Sequence, residues 1–392
     1  MDVKELRLKR ASLFRQACGF QKKPERVPHM SNYSTWTIFD AGFELSQALT
    51  DYACNEEAAI NHLTKYSWDA VMGFGIFKSE KVAELLGTNY YLIDDVVGSI
   101  TVLDHALLES SELRLLAEDP IKVLWEIGMK RRYPGFNDQM TAAQFRKAID
   151  EAKKFRESQD RIYTRAAEEF GMPEVTDGTL GYANFSFEYI FSYLRGIKGF
   201  SIDMRRNKAD LIAAMDALDA ILVEPSVNAI RSSAYGPRED TCWDYSVDLM
   251  STTVFNPRQF EELAWPRIQR VCDALAEKGK TARVIIPGHS APYIPYFYER
   301  YPHNMFTFLL EADDIVQLRE KYPDVPFAGG MTPSFLGSAS PEEVVERAKF
   351  LIREVGSDGG YVMTQNKMGA FRSDGNAENL KALCHFMAEE QE

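Results

Sequence analysis

The chain has 392 residues, 45% of them apolar and 12% aromatic, with 58 acidic against 45 basic side chains and a formal net charge of −13. That is ample for the core of one large α/β domain, and the acidic balance excludes the clustered Lys and Arg with which proteins hold nucleic-acid phosphates. With no apolar run of about 18 residues, no secretory core in residues 1–15 and five scattered cysteines lacking any C-x-x-C pair, the expectation is a cytoplasmic protein without a membrane span, a disulfide framework or a structural zinc knuckle.

In chain order, residues 3–18 read as a surface helix, a polar break follows at 21–25, and the apolar run at 27–30 reads as a first strand. Helix 56–65, strand 69–74 and helix 78–86 then alternate, the grammar of a parallel sheet with crossover helices. Residues 140–170 carry Phe145, Ile149, Ala152, Phe155 and Ile162 mostly three or four apart, so one long amphipathic helix is predicted, its charged face solvated. Beyond Arg205 the order is regular. Helices are predicted at 208–222, 256–278, 293–301, 314–322, 341–355 and 377–388. Strands are predicted between them at 227–232, 283–286, 306–310, 327–329 and 361–364. Ser340 at the cap, Pro341 in the first turn and Glu343 three residues on make a capping box. Without repeats or low-complexity linkers, a single domain over 1–392 is expected, an α/β closed barrel with an N-terminal helix in 1–25 and a helical insertion at 120–170.

No G-x-G-x-x-G follows a strand and no phosphate-binding P-loop occurs, so nucleotide binding has no positive signal. Gly288-His289-Ser290-Ala291-Pro292 departs from the G-x-S-x-G nucleophile elbow at its last position, where a proline replaces the needed glycine. His289 instead stands at a strand's carboxyl end, where a group titrating near neutrality can serve as acid, base or metal ligand. Glu311 ends the next strand, Gly329-Gly330-Met331-Thr332-Pro333 the one after, and Thr364-Gln365-Asn366-Lys367 the last, so consecutive strand ends turn polar or glycine-rich on one rim. Placed after the strand at 227–232, Arg238-Glu239-Asp240-Thr241-Cys242 belongs to that same rim, with Asp240 the favoured functional side chain and Cys242 a weaker thiolate candidate.

The segments Asn256-Pro257-Arg258-Gln259-Phe260, Gly288-His289, Gly329-Gly330-Met331-Thr332-Pro333, Ser340-Pro341-Glu342-Glu343-Val344, Gly359-Gly360-Tyr361-Val362 and Glu378-Asn379-Leu380 fall in an order that resembles the uroporphyrinogen decarboxylase superfamily, which includes the corrinoid methyltransferases. Upstream, Phe187-Glu188 and Leu194-Arg195-Gly196 are similar to the same pattern. The resemblance implies a (β/α)₈ TIM barrel with its site at the C-terminal rim.

Departures from the pattern separate the branches. Met30-Ser31-Asn32-Tyr33-Ser34-Thr35 lacks the arginines expected to clasp propionates, and Phe74-Gly75-Ile76 lacks the acid expected to meet pyrrole nitrogens. A thiol-activating zinc site would take His-x-Cys, an acid and a late cysteine; Ala291 and Thr364-Gln365-Asn366 stand where the sulfurs belong, so no metal site is expected. What the resemblance then implies is methyl transfer between a corrinoid on a partner protein and a small substrate, with no tightly bound cofactor. His289, Glu311 and Asp240 would be catalytic, His289 and Glu311 as an acid–base pair, while Glu188, Cys242, Gln365, Asn366, Thr332 and Tyr33 would contact substrate. The alternatives are decarboxylation of uroporphyrinogen or a related acid, with Arg195, Arg231 or Arg238 supplying charge, and a non-catalytic corrinoid-binding barrel.

Overall fold

In a computed structural model of the chain, the short apolar runs become strands of one curled parallel sheet, and the amphipathic segments pack outside it. The structure describes residues 2–391 other than 21–23, 89, 105, 183 and 390, so part of the polar break expected at 21–25 lies outside the described residues. Among the described residues, β1 (His29–Ser31), β2 (Ala70–Val71), β5 (Tyr245–Asp248), β6 (Ala282–Ile286), β7 (Phe306–Leu310), β8 (Phe327–Met331) and β9 (Tyr361–Gln365) form the sheet, in the order β2-β1-β9-β8-β7-β6-β5. The remaining two strands, β3 (Tyr91–Asp94) and β4 (Ser99–Val102), make a separate hairpin.

Period-two alternation divides each strand's side chains between two environments. Ala282, Val284 and Ile286 of β6 face the helix layer, in a core shared with Ile268, Val271 and Leu275 of the helix Trp265–Glu277. Ile285 turns inward instead, into a cluster with Met30, Ala70, Leu309, Ala328 and Val362 from five other strands. Side chains from so many strands meet only where the sheet has curled round on itself, so this cluster is the lumen of a (β/α) barrel. Between the two open edges of the sheet, β2 and β5, run residues 172–177, bonded, among the described residues, on the β5 side alone. They pair in parallel with the run before β5, Cys242 donating its N–H to the Glu174 carbonyl (2.9 Å) and Trp243 to that of Val175 (3.0 Å).

The helix Val3–Gly19 closes the barrel's N-terminal end. Its Phe14 and Cys18 enter the lumen cluster, Phe14 edge-on to Trp243 at 5.5 Å between ring centroids. The capping box at Ser340 forms as the sequence predicts, opening the helix Pro341–Val355. The long helix is present as Ala142–Phe170, ended by Gly171 in a left-handed turn (φ 62°).

One expected strand is absent. Residues 227–232 complete the 25-residue helix Lys208–Ser232, because Val223, Val227 and Ile230 are buried at helical rather than alternating spacing. The strand of that unit is β5, so residues 238–244 precede a strand instead of following one. The hairpin of β3 and β4 is unforeseen; it leans over the loops that follow β1 and β9, with Arg372 N–H donating to the Val97 carbonyl.

Candidate active site

The carboxyl ends of the strands open on one mouth, and the loop after β6 is its most exposed polar element. Gly288, at a positive φ of 74°, turns the chain so that His289 leaves the sheet. The His289 imidazole is 69% exposed, and its Nδ1 lies 3.1 Å from Oδ1 of Asp313, whose side chain is only 6% exposed. Facing a carboxylate, Nδ1 carries the proton and leaves Nε2 free toward solvent. The other Asp313 oxygen accepts the N–H groups of Ser290 and Ala291, so one buried acid fixes both the ring and its loop.

Glu311 has a different task from the one expected of it. Its Oε2 accepts the Gly288 N–H at 2.9 Å, which anchors the turn, and the acid paired with His289 is Asp313, two residues later.

Glu188 reaches the mouth from the helix Ser186–Tyr189. It is 9% exposed and accepts from the Ser251 backbone N–H (2.9 and 3.1 Å) and hydroxyl (2.7 Å), in the turn that follows β5. Burial pushes its carboxyl up, the Ser251 hydrogen bonds oppose this, and the nearby Asp248 charge adds to it; the balance is a pKa of about 7. Such a group is half protonated where enzymes work.

Asn366 laces three strand ends together: its Oδ1 accepts from Gly330 N–H (2.6 Å) and its Nδ2 donates to the Glu311 carbonyl (2.9 Å). Gln365 ties β9 to the loop after β1 by accepting the Asn32 N–H at 2.6 Å, and its Nε2 is buried without a partner. Thr364, on the lumen face, has a buried Oγ1 equally unpartnered. Two expected contacts do not face the mouth's polar groups. Tyr33 is buried against Trp36 with its hydroxyl on the Asp374 carbonyl (2.9 Å), and Thr332 caps the helix Pro333–Ser338.

Asp240 and Cys242 are corrected outright, because the strand at 227–232 that placed them on the rim is helix. Both lie at the opposite, N-terminal end of the barrel. Asp240 pairs with Arg238 (2.9 Å) and Arg7 (3.6 Å). Cys242 is buried beneath Trp243 in the lumen cluster, where burial holds its thiol well above the ordinary value and so keeps it protonated. The arginines considered for a poly-acid substrate are likewise committed elsewhere: Arg195 to Asp203 and the Leu108 carbonyl, Arg231 to Glu277, Arg238 to Glu174 and Asp177.

Sequence reasoning missed Asp313, Ser251 and a chain inside the lumen, in which Arg283 Nε donates to Ser246 Oγ (2.9 Å) and Ser246 to Asp248 Oδ1 (2.7 Å). The signal for Arg283 was its place between Ala282 and Val284, a charge at the inward position of an apolar strand. Among the described residues no three His, Cys, Asp or Glu side chains are grouped to hold a metal ion. With Ala291 beside His289 and Cys242 at the far end of the barrel, this donor set does not fit a thiol-activating zinc.

A family model described as uroporphyrinogen decarboxylase (URO-D) matches residues 189–385. Among solved structures, a methyltransferase from Methanosarcina mazei is similar over 96% of this chain and 96% of its own, with a TM-score of 0.54 at 15% identity, a likeness of fold. No curated protein sequence matches the chain.

Proposed function

The chain belongs to the uroporphyrinogen decarboxylase family, and on that footing we propose that it is a cytoplasmic enzyme moving a methyl group between a small substrate and a corrinoid carried by a separate protein. The observation that carries this reading is Glu188, a buried carboxyl at the barrel mouth whose pKa of about 7 suits proton exchange near neutrality.

The corrinoid supplies the cobalt that gives or takes the methyl group. The chain's own residues do the rest. When a heteroatom of the substrate gives up its methyl group it must take a proton, and Glu188, held in place by Ser251, donates it; in the reverse direction the carboxylate recovers it. His289, oriented by Asp313 with Nε2 free, offers a second exchange point between the rim and solvent. Exposed Phe77, Met250, Met368 and Phe371 follow β2, β5 and β9 around the mouth, apolar surface that suits coverage by a macrocycle and its carrier.

The test is transfer from O-, N- or S-methylated donors to free reduced cobalamin, followed by its absorbance change. Glu188→Gln should lower the rate by at least about 100-fold and remove a pH inflection near the carboxyl's pKa of about 7. Absence of transfer from all three donor classes, or a wild-type rate and pH profile in the variant, would sink the assignment.

A further inference from the structure

Half-buried Arg283 is a cation on the lumen side of β6 that is not fully paired. It sits beside Ser246 of β5, on the inward side with Ile285. Of its three nitrogens only Nε has a partner, the Ser246 hydroxyl; Nη1 is buried with none. The nearest acid of this chain, Asp248, is reached only through that hydroxyl. A guanidinium so placed normally faces a carboxylate or phosphate, and among the described residues no acid of this chain contacts Arg283 directly.

Arg283 also lines a cavity. Between β2 and residues 172–176 the barrel wall has a seam, and the helix Ala142–Phe170 crosses over it, enclosing about 540 Å³. Arg283 lies on its lining, and Val71, Phe74, Met172 and Val175 supply apolar walls. That volume and lining match sites for small organic molecules. Asp160, Glu168 and Glu174 stand on the same lining with one further cation, Arg7, and this excess of acid favours a single carboxylate on an apolar body over a multiply charged anion.

We infer that this seam cavity is a binding site for a small apolar monocarboxylate, whose carboxylate pairs with the Arg283 guanidinium and whose body lies against Phe74 and Met172. The site is entered from the side of the barrel, independently of the chemistry assigned to the mouth, and therefore stands or falls separately from the proposed methyl transfer.

The test is calorimetric titration of the full chain with benzoate and hexanoate, against benzamide and inorganic phosphate. Saturable one-to-one binding of at least one carboxylate is expected, with benzamide and phosphate at least tenfold weaker and Arg283→Gln at least tenfold weaker for the carboxylate. Ala167→Trp, on the outer helix, should block the cavity without touching the barrel wall and abolish binding, which keeps the test valid if the Arg283 variant does not fold. Equal binding of benzoate and benzamide, tighter binding of phosphate, no binding of either carboxylate, or unchanged binding in a folded variant would overturn the inference.

Discussion

Glu188 shows how one side chain couples stability to chemistry. Its folded pKa of about 7 lies above the ordinary 4.5, so between those values the folded chain holds a proton that the unfolded chain has released. Its contribution is complete below about pH 4.5, declines as pH rises through the window and is exhausted above about pH 7. The shift corresponds to an effect on the order of 3 kcal/mol. Glu188→Gln keeps the uncharged shape and should flatten this part of the stability profile, leaving the variant more stable than the parent above pH 7; urea melts across the window check it, and parallel slopes in both proteins would refute it. Asp69 runs the other way. Burial raises its pKa, but His29 and Arg26, the latter contacting both its oxygens, hold it well below the ordinary carboxylate value, so its support is lost only as pH falls into the acid range.

The N-terminal helix Val3–Gly19 is a working part of the barrel rather than an appendage. Phe14 is fully buried against Trp243 at the closed end of the lumen, so Phe14→Ala should cost about 3–5 kcal/mol in chemical denaturation while leaving the residues of the mouth in place. A loss under about 1 kcal/mol would mean the plug is not packed as described. That the segment is a helix was legible from its pattern; that it closes a barrel was not, since nothing local says which surface an amphipathic helix will cover. The same limit explains the larger miss. Val227 and Ile230 satisfy a strand's composition and a helix's spacing at once, and only the continuous burial back to Leu211 decides for helix. Reading that stretch as a strand carried Asp240 and Cys242 to the wrong end of the molecule. From β6 onward every strand and every α-helix but Pro333–Ser338 was legible, because each apolar run is short and flanked by turn residues, and His289, Glu311 and Asn366 fell on the rim accordingly. Their partners did not follow: Asp313, Ser251 and Asn32 are fixed by loop geometry, which period and composition leave open.

The two ends of the chain depend on each other. β1 pairs with β9 through His29 with Met363 and Met30 with Thr364, and Gly360 N–H donates to the Ala17 carbonyl at the end of the plug helix. The family match begins at residue 189, after β1, β2, residues 172–177 and Glu188. A fragment of residues 189–391 would keep five of the seven sheet strands but leave β9 with an unpaired edge. Leu309, Ala328 and Val362 would face water where Met30, Ala70 and Phe14 now cover them. The N-terminal portion is therefore predicted to be indispensable to the fold: the fragment expressed alone should aggregate or melt without a cooperative transition, while the whole chain gives one sharp loss of near-ultraviolet circular dichroism. A fragment that stays monomeric and melts sigmoidally would instead make residues 189–385 an independent domain, and would turn the N-terminal strands and plug into later additions to a self-sufficient half barrel.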